Sequence, residues 1–122
     1  MDSILNSIKQ LLGVSEEYHQ FDANIIMQIN SVFLTLNQLG VGPDEVFEIQ
    51  DEYTRWRDFA DDIGIVNSVK TYMYHKVRME FDPPTSSAVI DSTERKIAEY
   101  EWRLNAEAEY KNKYRSTLKQ RG

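Results

Sequence analysis

The chain contains no cysteine. That excludes a disulfide framework, a thiolate metal site and a cysteine nucleophile, and it fits assembly in a reducing compartment. Histidines number two, His19 and His75, and neither sits in a motif with a nucleophile or a third ligand. No G-x-S-x-G elbow and no phosphate-binding glycine-rich loop occurs, so hydrolytic and nucleotide chemistry have no residues to act through. No apolar run approaches the roughly 20 residues that span a bilayer. The start Met1-Asp2-Ser3-Ile4-Leu5 lacks the basic stretch of a signal peptide, so a soluble, untargeted chain with no membrane partner is expected.

The 122 residues are 41% hydrophobic and 11% aromatic, enough apolar material for one globular core. Net charge is −6, but its distribution is uneven. Residues 1–110 hold nine Lys/Arg against all twenty Asp/Glu, whereas residues 111–122 hold Lys111, Lys113, Arg115, Lys119 and Arg121 with no acid. An acidic body does not grip a phosphate backbone, because that affinity comes from clustered cations releasing counterions.

Apolar spacing predicts four helices. Ile4, Leu5, Ile8, Leu11 and Leu12 form one stripe over residues 2–12, stopped at Gly13. After a connector, Asp22 is read as the N-cap of a helix over 22–39, carrying Ile25, Ile26, Ile29, Val32, Phe33, Leu36 and Leu39. Met27 and Leu34 fall outside that stripe, so a second face is open to neighbours or another subunit. Gly40-Val41-Gly42-Pro43 ends it, and Val46-Phe47-Glu48-Ile49 reads as a short extended pair or an ordered loop. Trp56 and Phe59 are read as anchors of this irregular stretch, since a buried aromatic removes about 150–250 Å² from water. A third helix, starting near Asp62 or Asn67, reaches Phe81 before Asp82-Pro83-Pro84, and a fourth covers 87–110 with Ile90, Ile97 and Leu104 spaced by sevens. The expected fold is mainly α: a four-helix domain over 1–109 with a basic C-terminal arm over 110–122. Its core includes Ile29, Phe33, Val69, Met73 and Ile97.

His19 with Asp22 three residues on forms a carboxylate–histidine pair at most, and the acidic pairs Glu16-Glu17, Asp51-Glu52 and Asp61-Asp62 lack the spacing of a calcium loop. No catalytic residue, metal ligand or cofactor is therefore expected. Trp56 and Trp102 read as core or interface packing. The arm differs: Tyr110, Tyr114 and Leu118 recur at i, i+4 and i+8 with cations between, as in a helix laid on an acidic partner.

Taken together, five segments resemble the head-tail connector, or adaptor, proteins of long-tailed bacteriophages. They are the Ile4-Leu5 to Leu12-Gly13 helix, the Phe21-Asp22 start of a long helix ending Leu39-Gly40-Val41-Gly42, the Trp56-x-x-Phe59 loop, the Val69-Lys70-Thr71-Tyr72 helix ending Phe81-Asp82-Pro83-Pro84, and Glu101-Trp102-Arg103-Leu104-Asn105. The resemblance implies a structural, non-enzymatic subunit of a homo-oligomeric ring, a dodecamer, located in the virion neck and assembled in the host cytoplasm. Its partners would be the portal and the stopper or tail protein, with DNA passing without specific binding. The portal-binding arm would comprise Tyr110, Lys111, Lys113, Tyr114, Arg115, Leu118, Lys119 and Arg121. Asp44, Glu45, Asp51 and Glu52 are candidate channel-facing or neck-facing acids, since a negative wall opposes DNA adhesion. The alternative is a small helical regulatory module whose basic tail touches nucleic acid.

Overall fold

A computed structural model describes the backbone of residues 2–121 and the side chains of residues 2–113. It contains five helices among the described residues: α1 (Ile4–Leu12), α2 (Asp22–Gln38), α3 (Trp56–Phe59), α4 (Ile63–Phe81) and α5 (Ser87–Arg121). There is no sheet among the described residues; an isolated antiparallel bridge joins Ser3 to Arg55. The four helices read from apolar spacing are present. The additional one, α3, is a single turn closed by Asp58, whose carboxylate accepts from the Arg55 N–H at 2.8 Å.

Local chemistry sets the boundaries. The Ser3 hydroxyl accepts from the Asn6 N–H and starts α1. Gly13, at φ +80°, stops it with its N–H on Gln10 O, while Val14 N–H reaches Lys9 O. Asp22 is not the N-cap of α2. Phe21 holds that position without a side-chain hydrogen bond, and Asp22 is the first helical residue; its carboxylate is drawn instead to Lys9 and His19. Asp62 caps α4 through the Ile65 N–H at 3.1 Å, which settles the start in favour of the earlier position. Ser86 accepts from the Val89 N–H at the start of α5. That helix passes residue 110, the expected end of the fourth helix, and runs to Arg121.

The central element is α4, packed against α1, α2 and α5. Its Val66, Val69, Tyr72, Met73 and Val77 are buried against Ile25, Ile29, Phe33 and Leu36 of α2 and Leu104 and Ala108 of α5. Each fully buried aliphatic side chain contributes about 1.5–3 kcal/mol. Ile97 is partly buried, at the margin of this core. Trp102 is no part of it, being 72% exposed.

The segment 41–55 forms no strand pair. Its place is held by the Asn30 amide, which donates to Ile49 O at 2.9 Å and accepts from Ile49 N–H at 2.8 Å, the two bonds that a neighbouring strand would supply. Phe47 and Phe59 stack at 5.0 Å each from Phe33, and the Trp56 indole donates to Ser7 Oγ at 3.2 Å. Ile4 N–H to Thr54 O and Trp56 N–H to Asp2 O close the loop onto the start of α1.

Candidate functional site

The fold sorts the charges further than the chain order does. In residues 1–54 the sole Lys or Arg is Lys9, set against nine Asp/Glu. Lys9 is fully buried, although it lies on a short helix where a lysine would be expected to reach water. Its Nζ donates to Tyr18 O at 2.7 Å and Glu16 O at 3.1 Å, and lies 2.8 Å from Asp22 Oδ1. The other Asp22 oxygen lies 2.8 Å from His19 Nδ1. Burial pushes the Asp22 carboxyl upward, but the hydrogen bonds and charges of Lys9 and His19 outweigh it and hold the group below its ordinary value. The cluster fastens the 14–21 connector to α1 and α2. With Lys9 consumed in it, no Lys or Arg of residues 1–54 is exposed, and the cations beside these acids are the exposed Arg55, which shares a surface hollow with Asp2 and Glu52, and Arg57.

Asp44, Glu45 and Asp51 are exposed and Glu52 is half-buried. All four lie on the segment that Asn30, Phe47, Trp56 and Phe59 hold, so the acids sit on an anchored scaffold. Asp51 accepts from the Tyr53 N–H at 2.9 Å. Trp56 and Phe59 are 1% and 5% exposed.

At the far end of α2, a cleft of about 470 Å³ separates the Gly40–Asp44 turn from α5. Val41, Phe59, Ile65, Leu104 and Ala108 line it, with Asp44, Glu107 and Lys111 among its polar groups. Gly42, at φ +95°, lies so close to the Phe59 ring that a Cβ there would stand 2.5 Å from it. Lys111 pairs with Glu107 one turn back, at 3.6 Å.

Of the arm residues, Tyr110 is 72% exposed, Lys111 is half-buried and Lys113 is exposed. The side chains of Tyr114, Arg115, Leu118, Lys119 and Arg121 lie outside the described residues. The backbone of α5 crosses from the acidic body into this basic segment without a break.

Two ties missed in sequence reading join α4 to α5. The Tyr72 hydroxyl donates to Glu101 Oε1 at 2.6 Å, and Lys76 lies 3.7 Å from the same oxygen. Burial, then the Glu101 hydrogen bond and charge, push the Tyr72 phenol well above its usual range. His75 is shifted the other way, below its usual value, by burial and the nearby Lys96 and Arg78 charges. Among the described residues, no three His, Cys, Asp or Glu side chains are grouped to hold a metal ion, and no helix is long and apolar enough to cross a membrane.

Among the described residues the body is built of helices without a sheet and leaves several aromatics exposed, and the sequence gathers most of its cations into the last helix. A family model, described as phage connector protein, matches residues 4–111. The chain belongs to this family, which is structural and gives it a connector role at the phage neck, in assembly with head and tail components. No curated relative and no solved structure matches the chain.

Proposed function

We propose that the protein forms a ring, a dodecamer, that joins the capsid portal to the stopper or tail and lets DNA pass through its centre. It assembles on filled heads in the host cytoplasm, and its work is contact rather than catalysis. The observation that carries this reading is the segregation of charge. The one Lys or Arg of residues 1–54 is buried in an ion pair, so acids outnumber cations on the exposed part of this region, with Arg55 and Arg57 at its edge, and DNA would pass such a surface with little counterion release to hold it. Asp44, Glu45, Asp51 and Glu52 are assigned to the channel or the neck-facing rim. At the other extreme, the cations beyond Glu109 are steered to carboxylates on the portal, and Tyr110, Tyr114 and Leu118 anchor the contact.

Truncation after Glu109 tests the arm. Among the described residues the last core side chain of α5 is Ala108, so the shortened chain should keep its helical circular dichroism spectrum while losing attachment to portal-bearing heads, scored by electron microscopy. A Lys119→Glu/Arg121→Glu full-length variant should weaken attachment and flatten its salt dependence. Unchanged docking by both variants would refute the portal role of the arm.

A further inference from the structure

The solvent side of α2 is unlike the rest of the surface. Residues 23–43 contain no charged side chain, although 28% of the chain is charged and a run of that length would carry about six. The residues that α2 turns outward include Asn24, Met27, Ser31, Leu34 and Gln38, with Met27 63% and Leu34 47% exposed. Met27 and Leu34 lie two turns apart with the small Ser31 between them, a shallow socket flanked by apolar walls. On α5 the pattern is the complement. Trp102, 72% exposed, stands between exposed Ala98 and Ala106 one turn to either side, with the exposed Glu99–Arg103 pair alongside, a large knob with small neighbours along the helix axis and a charged rim. α4 packs between α2 and α5. Those two helices approach each other near Gly40, where Ala108 lies beneath the turn and Asn105 donates to Leu39 O. Socket and knob thus belong to different faces of one molecule.

Each copy carries a net charge of −6, so copies repel where their acidic surfaces meet, and the uncharged face of α2 is one that a second copy can approach without that repulsion. On α2, depletion of charge together with exposed Met27 and Leu34 is the composition of an interface core, while on α5 the exposed Trp102 is an aromatic anchor rimmed by the Glu99–Arg103 pair. Closing a ring requires two unlike, complementary faces per subunit, whereas a face that pairs with itself stops at a dimer. We infer that the outer face of α2, at Met27, Ser31 and Leu34, receives Trp102 on α5 of the next copy, so that the ring closes head to tail through these two helices. The inference rests on the ring reading above and names the contact that builds it.

Both faces can be spoiled separately, because Leu34 and Trp102 are exposed and a change at either leaves the core untouched. Full-length Leu34→Glu and Trp102→Glu variants are compared with wild type by light scattering and by glutaraldehyde cross-linking, with circular dichroism as the folding check. Each variant alone should keep its helix content and be monomeric where wild type forms rings. Mixed one to one, they should give cross-linked dimers and nothing larger, since the intact α2 face of one meets the intact Trp102 face of the other. Rings from either single variant, or a mixture that stays monomeric, would overturn the contact while leaving the ring itself standing. A wild-type chain that never assembles, alone or on portal-bearing heads, would overturn the ring reading and this contact with it.

Discussion

Replacing Asp22 with Asn leaves the Lys9 ammonium buried without its counterion while changing almost no volume. At the 2.8 Å separation, with an effective dielectric of about 20, the Coulomb attraction is about 6 kcal/mol before desolvation is subtracted. Loss of one partner from a buried pair costs about 3–5 kcal/mol. Asp22 keeps 20% side-chain exposure, and Lys9 retains the Glu16 and Tyr18 carbonyls, so we expect the lower end, about 3 kcal/mol. Against a total of about 6–18 kcal/mol for a domain this size, the variant should unfold earlier in urea and melt about 10–15 °C lower. The pH dependence identifies the cause. A carboxyl held below its ordinary value of 3.8 contributes stability that is full above that value and lost as pH falls through the folded-state value. The gap between wild type and Asp22→Asn should therefore be constant near neutrality and close in acid below about pH 4. A variant within about 0.5 kcal/mol of wild type at pH 7, or a gap that ignores acid, would refute the argument.

Gly42→Ala should cost about 2–4 kcal/mol, combining a left-handed backbone with a Cβ driven into the Phe59 ring; equilibrium urea unfolding reads it directly. His75 is held below its usual value by burial, Lys96 and Arg78, so its contribution is present above the unfolded value and lost as pH falls. Melting temperature should drop between pH 7 and 5, and His75→Gln should flatten that slope, which parallel thermal melts at the two pH values would check.

The long helices were legible because their apolar residues recur at helical spacing over many turns, and the stops at Gly13, Gly40 and Asp82-Pro83 carry their own backbone chemistry. The continuity of α5 was not, since Tyr110, Tyr114 and Leu118 keep the helical spacing but the surrounding cations made this stretch read as a separate arm, and not as a continuation of the same helix. Asp22 misled because an acid before an apolar run looks like a cap, and nothing local reveals that a lysine thirteen positions earlier claims its carboxylate. Lys9 itself was invisible as a core residue: burial of a cation depends on two carbonyls and an acid brought together by the connector, all of them nonlocal or on the backbone. The role of Asn30 was hidden for the same reason, its partner lying nineteen residues away. What the sequence did expose of the candidate site was the division between acidic body and basic end, which needs no fold to be counted.

The length of α5 has a consequence of its own. Its 35 residues make a rod of about 52 Å at 1.5 Å per residue, and among the described residues Ala108 is the last of its side chains in the core. The helix backbone runs on unbroken from there, so the bearing of its far end follows the helical phase set at the core. Such a rod is a gauge of both distance and angle. One inserted residue after Glu109 would advance the tip by only about 1.5 Å but swing it through about 100°, pointing its stripe at the wrong neighbour. Seven would lengthen it by two turns and bring the stripe back to within about 20° of its original bearing. The reach of the basic end is thus far more forgiving than its phase.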